Sequence, residues 1–409
     1  MNIFWICNII FPDIQEELGM SKGYGGGWMT SLANSIANVE DIKLHIISPY
    51  NGNEYKEILK DNIMHFIVPK SELLTRCESI FKDYKVDLIH IHGTESGYGN
   101  LIVDAFPEKK YVVSIQGLVS VISEHYFSGL PYNVIIKKTF RDFVKNTNIK
   151  KEKENFELKG IKEKNLIKKV SHIIGRTTWD RACINEINPK ANYYYCGESL
   201  RKVFYNNQWN INKCNKYSMF ISQGYYPIKG LHMTLKALPS IVREFPDTHL
   251  YIGGLDITKR KTFRDKLKMS YYGKYITKLI YANGLSKHVT FLGPLSEEEM
   301  CKRFLSTHVF INGSSIENSP NSLGEAMILG VPSVASDVGG VQDMMTHKVD
   351  GYIYPFDEYY MISHYVKEIF KDDNLAVTFS QNAQNHATKT HNRINNLNNL
   401  INIYKNIVG

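Results

Sequence analysis

A segment suited to a charged, hydroxyl-rich ligand stands at Asn312-Gly-Ser-Ser-Ile-Glu317-Asn-Ser319-Pro320-Asn321-Ser322-Leu323-Gly-Glu325. An apolar run ends at Ile311 and a polar loop follows. The pattern then predicts a helix over 320–329, with Ser319 as N-cap and Pro320 at the first helical position. Such a start leaves the backbone N–H groups of Asn321, Ser322 and Leu323 free to point at a ligand, and the helix dipole behind them favours a diphosphate. Two carboxylates, Glu317 and Glu325, bracket this place. Beside a diphosphate they would be repelled unless they did something else, such as accepting hydrogen bonds from sugar hydroxyls. A structural role is also open to Glu325, because Ser322-x-x-Glu325 matches a capping box.

A cation is offered by Ser222-Gln223-Gly224-Tyr-Tyr-Pro-Ile-Lys229-Gly230, which follows an apolar run and opens a helical pattern. Lys229 can meet a diphosphate oxygen as a point charge and stabilise the charge growing on a leaving group. In the first half, Gly23-Tyr-Gly25-Gly26-Gly27-Trp28 precedes a helix. Gly26 and Gly27 would let backbone come close to phosphates. The run is not the dinucleotide fingerprint, since Trp28 takes the third glycine position and no fitting acidic residue closes the pattern. His92 and Gln116 stand at the ends of strand patterns, and with His125 they are candidates for holding an acceptor. Each histidine has a plain alternative as a satisfied structural residue.

The elements that must position these groups alternate between short β-branched runs and helical patterns, the mark of parallel βαβ units. Strands are expected at 2–6, 43–48, 87–91, 111–115, 172–174 and 192–195, then at 217–222, 249–252, 289–291, 309–311, 333–335 and 351–354. Helices are expected at 27–38 and 71–84, and in the second half at 229–243, 259–283, 296–305, 320–329 and 358–370. The division follows: an N-terminal Rossmann-like domain at 1–197, a polar, Asn-rich linker at 198–215, a C-terminal Rossmann-like domain at 216–385 and a helical tail at 386–409. Ligands of such folds sit at the carboxyl ends of the strands, in the cleft between the two domains.

Composition bounds the rest. With 409 residues, 43% hydrophobic and 22% charged, the chain fits two globular domains. The six cysteines are scattered without a C-x-x-C pair, which argues against a zinc site and suits a reducing compartment. The apolar opening 1–12 lacks a basic n-region and a cleavage site, and reads as a first strand; no run approaches a membrane span, so a cytoplasmic protein is expected. Net charge is +8, and 137–169 holds twelve Lys or Arg against five acidic residues. That run, Lys137 to Lys169, is either a solvated helix face or a contact for an anionic membrane surface. It belongs to no nucleic-acid recognition module, so no nucleic-acid partner is expected.

Glu317-x7-Glu325 followed by Ala326-Met-Ile-Leu-Gly330-Val-Pro332, then Asp337-Val-Gly339-Gly340 and Asp350-Gly351-Tyr352, resembles the signature of the family-4 retaining glycosyltransferases. The resemblance implies a GT-B fold: two Rossmann-like, doubly wound α/β domains facing across a cleft. It implies transfer of a sugar from a nucleoside diphosphate sugar to a hydroxyl of a glycan or lipid-linked acceptor, with retained configuration and no metal or other cofactor. Surface-polysaccharide synthesis (capsule, O-antigen or exopolysaccharide) is the implied setting. Glu325 would bind the donor ribose, Glu317 would contact the transferred sugar, and Gly293 and Leu295 would lie near the base. The family usually has an Arg a few residues before Lys229, where this chain has Gln223 or Gly224; Arg176 is a candidate for the missing charge, or else a partner of Asp180. The family often shows a His where Gln116 stands. The rival readings are a nucleotide-sugar epimerase, a phosphorylase and a silent nucleotide-sugar-binding homologue.

Overall fold

The alternation of strands and helices folds into two separate sheets in the computed structural model, which describes residues 1–20, 27–260 and 262–409. The first sheet contains β1 (Asn2–Cys7), β2 (Lys43–Tyr50), β3 (Lys56–Lys60), β4 (Ile63–Pro69), β5 (Leu88–His92), β6 (Tyr111–Ser114), β7 (His172–Gly175) and β8 (Asn192–Tyr195). Its order is β3-β4-β2-β1-β5-β6-β7-β8. The second contains β9 (Asn215–Ile221), β10 (His249–Gly253), β11 (Val289–Gly293), β12 (Thr307–Asn312), β13 (Ser333–Ser336) and β14 (Tyr352–Tyr354), in the order β11-β10-β9-β12-β13-β14. Every pairing is parallel except β3 with β4. Helices on both faces bury such strands completely, which is why β1 reads as an unbroken apolar run, with Ile3, Phe4, Trp5, Ile6 and Cys7 all buried.

Two features depart from the sequence reading. The hairpin β3–β4 lies outside the expected strands; its turn residues Asp61 and Asn62 have φ of 49° and 63°, the left-handed pair that a two-residue hairpin loop requires. The single helix expected over 259–283 is two, Phe263–Lys268 and Tyr271–Ala282. Ser270 ends the run by capping the second helix, its side chain accepting from Gly273 N at 3.1 Å.

The chain divides into two compact units, neither continuous in sequence: 1–120, 157–201 and 391–409 form the first, 121–156 and 202–390 the second. The region 198–215 holds one passage between them; the others fall at 120/121, 156/157 and 390/391. Helix Arg393–Val408 belongs to the first unit, where Tyr404 OH accepts from Trp5 Nε1 at 3.0 Å and meets His90 Nδ1 at 2.6 Å. Segment 121–156 belongs to the second, tied there by Ser128 Oγ to Ser315 Oγ at 2.9 Å and by His232 Nε2 to Ser128 O at 2.7 Å. No helix among the described residues is long and apolar enough to cross a membrane.

Candidate functional site

In the second sheet the strand order reverses between the neighbours β9 and β12, the place where open α/β sheets take ligands at the carboxyl ends of their strands. After β9 comes a tight turn, Pro227–Lys229, closed by Gly230 at φ 68°. A Cβ on Gly230 would lie 1.6 Å from the Gly313 carbonyl oxygen, so only glycine lets the two loops cross. Ser315 N donates to Ile228 O at 2.7 Å and fixes the crossing. The result is a bond between the loops: Lys229 Nζ donates to Glu317 Oε1 at 2.5 Å. Ser314 Oγ donates to the same oxygen at 2.6 Å. From the far side, Gly340 N donates to the Glu317 carbonyl at 3.1 Å, and Gly339 (φ 53°) presses so near that a Cβ would fall 1.8 Å from that oxygen. The Lys229 and Glu317 side chains remain 21% and 13% exposed. Burial works to lower the Lys229 pKa, but the Glu317 carboxylate and the Tyr226 phenol outweigh it, and the ammonium is held above its ordinary value.

Helix Asn321–Leu329 starts one residue later than the sequence suggests. Pro320 is its N-cap, with no side-chain cap, and Ser319 stands before it. Leu323 N turns back to Pro320 O at 2.9 Å, whereas the Asn321 and Ser322 amides make no backbone hydrogen bond among the described residues. Two of the three predicted donors therefore stay available at the positive end of the helix dipole. Ser322 is inside the helix, so the capping-box reading of Glu325 does not hold. Glu325 is a buried carboxylate on the following turn, 4% exposed. Gln223 is exposed, while a Cβ on Gly224 would meet Ile252 Cγ2 at 2.6 Å; of the two places for an arginine, only 223 has room.

Gly293 ends β11 at φ 79°, and its carbonyl accepts from Gly254 N at 2.9 Å, with Leu295 two residues on and half-buried. Next to it, a Cβ on Gly253 would strike Ser222 O at 2.3 Å. The carboxyl ends of β9, β10 and β11 thus run together as bare backbone. Sequence reasoning missed Ser314, Tyr226 and the Gly253-Gly254 pair; the doubled glycine after a strand was the available signal.

The other predicted residues are divided between the units. Arg176, Gln116 and His92 lie in the first. The Arg176 guanidinium ion-pairs with Glu198 and donates to Ile115 O at 2.6 Å and Gln116 O at 3.3 Å. Asp180, the partner suggested by sequence, instead takes the Arg176 backbone N–H at 2.9 Å while capping helix Thr178–Ile187. The Arg176 charge is therefore balanced inside its own unit. Burial, then the Arg176 charge, lowers the His92 pKa to about 3, so its ring is neutral. These groups line a cavity of about 30 Å³, room for a water rather than a sugar. Gln116 is half-buried at its edge. His125 belongs to the second unit, exposed, with its carbonyl accepting from Ser315 Oγ at 3.1 Å. Gly26 lies outside the described residues, and Gly27 opens helix Gly27–Ala37.

Residues 203–386 match the family described as glycosyl transferases group 1. The putative glycosyltransferase YtcC of Bacillus subtilis is 23% identical over 340 residues, covering 81% of this chain and 75% of that protein. Among solved structures, sucrose-phosphate synthase from Thermosynechococcus elongatus superposes with a TM-score of 0.73 at 14% identity, covering 99% of this chain and 98% of the other. Anabaena HepE in complex with UDP and glucose gives a TM-score of 0.68 at 15% identity, covering 98% of each chain. The two Rossmann-like units have the GT-B fold, and the match over 203–386 together with these structural neighbours supports a GT-B glycosyltransferase.

Proposed function

We propose that the chain transfers a sugar from a nucleoside diphosphate sugar to a hydroxyl of a glycan or lipid-linked acceptor, with retained anomeric configuration. The observation that carries this reading is the Lys229–Glu317 pair beside the uncapped start of helix Asn321–Leu329. The ammonium and the free amides suit a diphosphate. Among the described residues both hydrogen bonds to the Glu317 carboxylate fall on Oε1, so its other oxygen is the one left for a sugar hydroxyl. A carboxylate held by an ammonium and a hydroxyl is a weak nucleophile, which favours same-face attack. In that step the bond from the sugar carbon to the leaving phosphate breaks as the acceptor oxygen bonds to the same carbon. The acceptor proton passes to an oxygen of the departing diphosphate, whose growing charge Lys229 stabilises. Glu325, one turn into the helix, would accept from the ribose hydroxyls.

HepE, whose solved complexes include UDP-glucose, makes UDP the first nucleotide to try. In calorimetric titrations with UDP, GDP, ADP, CMP and dTDP, one nucleoside diphosphate is expected to bind selectively. Glu325→Ala should weaken it by about 1–3 kcal/mol, roughly fivefold to 150-fold. If none of the five binds the parent, the donor assignment fails.

Metal independence is part of the same reading, because Lys229 and the helix start supply positive charge where a cation would stand. Turnover is expected to survive exhaustive EDTA treatment; a loss that Mg²⁺ or Mn²⁺ restores would refute this. We further assign the chain to surface-polysaccharide synthesis, working in the cytoplasm with peripheral membrane contact through Lys137 to Lys169. The excess of cations over acids in that run supports the membrane contact.

A further inference from the structure

Three short helices of the second unit carry large apolar side chains into solvent. Tyr132 and Ile136 lie on helix Tyr132–Ile136, Phe140 and Phe143 on Phe140–Val144, and Phe263 on Phe263–Lys268. Phe140, Phe143 and Phe263 are 64%, 75% and 76% exposed. The helices form one neighbourhood. Phe140–Val144 packs against Phe263–Lys268, Tyr132–Ile136 packs against Tyr271–Ala282, and Tyr271 N donates to Asp142 Oδ2 at 3.0 Å.

Their charges are sorted as well. Asp142 is buried in a capping box with Thr139, and Asp265 makes the same box with Thr262. With the acids holding helix starts, the exposed charges beside the aromatics are Lys137, Lys138, Lys145, Arg264, Lys266 and Lys268. Clustered exposed apolar side chains mark an interaction site. A rim of six exposed cations, only partly offset by the half-buried Asp265, disfavours a second copy of the same face, since it would set mostly cation against cation. Aromatics ringed by Lys and Arg suit an anionic bilayer, where the rings enter the acyl boundary and the cations stay at lipid phosphates.

We propose that this face docks the chain on an anionic lipid surface, with Phe140, Phe143 and Phe263 inserted and the six cations at the headgroups. The inference rests on the membrane contact suggested above and moves its centre from the long helix Ile149–Lys169 to these three short ones. It is independent of the donor site, because none of these residues bonds to Lys229 or Glu317.

The test is co-sedimentation of the full chain with phosphatidylcholine vesicles, with and without phosphatidylglycerol. Binding is expected only with phosphatidylglycerol and should fade with salt. F140S/F143S/F263S should weaken it about tenfold or more. K137Q/K138Q/K145Q should weaken it roughly a hundredfold at low salt. Retained circular dichroism and nucleotide binding establish that both variants fold. If K159Q/K162Q/K164Q abolishes binding and the phenylalanine variant does not, the docking face is wrong while membrane contact stands. If no vesicle binds, or if the phenylalanine variant only dissolves a dimer seen by sedimentation equilibrium, the proposal is overturned.

Discussion

Replacing Lys229 by alanine is expected to lower single-turnover donor cleavage by roughly 10²–10³-fold, the loss usual for one preorganised group that meets charge developing in a transition state. The ammonium sits 2.5 Å from Glu317 Oε1, and Glu317 is only 13% exposed. Without Lys229 the carboxylate would face a diphosphate with no cation between them, so donor affinity should fall together with the rate. Ser314→Ala is the control, because it removes a neutral donor from the same oxygen. Its cost should stay near 0.5–1.5 kcal/mol, about tenfold at most. Rapid-quench measurement of nucleotide release separates the cases. A Lys229→Ala rate within a few fold of the parent would remove this lysine from the chemistry.

The second large effect concerns backbone. Gly230→Ala should destabilise the second unit by about 3 kcal/mol or more, lowering Tm by roughly 10 °C. Two costs combine: φ is 68°, and the new Cβ would lie 1.6 Å from the Gly313 carbonyl oxygen. A left-handed conformation alone costs a non-glycine residue roughly 1–2 kcal/mol. Gly284 isolates that part, since its φ is 67° and nothing lies within 4 Å of a Cβ there. Gly284→Ala is therefore expected to cost only about 1 kcal/mol. Thermal unfolding of the two variants side by side gives the cost of the crossing itself. Equal shifts would mean that the loops carrying Lys229 and Glu317 can move apart freely.

The parallel strands, and the loops that carry the candidates Lys229 and Glu317, were legible because their signals are local. A buried parallel strand is a short apolar run, and Pro320 marks the start of helix Asn321–Leu329 to within one residue, although Ser319 does not cap it. The hairpin β3–β4 was less visible, since Lys56-Glu-Ile-Leu-Lys60 is an edge strand with mostly exposed side chains. The allegiance of 121–156 was not legible, because short helices without a strand carry no mark of the sheet they cover. Ser314 escaped for a related reason. Its bond to Glu317 spans three residues of an irregular loop, and no periodicity announces a side chain that turns back on its own loop. Arg176 shows the converse: Asp180 was near in sequence, and the charge partner Glu198 was 22 residues away.

The noncontiguous make-up of the first unit bears on how the protein is made. Synthesis is vectorial and domains fold as units. Trp5 and His90, translated early, acquire their partner Tyr404 only after helix Arg393–Val408 has left the ribosome. Residues 121–156 and 202–390 are all synthesised before residues 391–409 appear, so the second unit can close while the first still exposes part of its apolar interior. The unit begun first on the ribosome is thus the last to be finished, and the nascent chain carries that unsealed surface until the last stretch of the described chain has been translated.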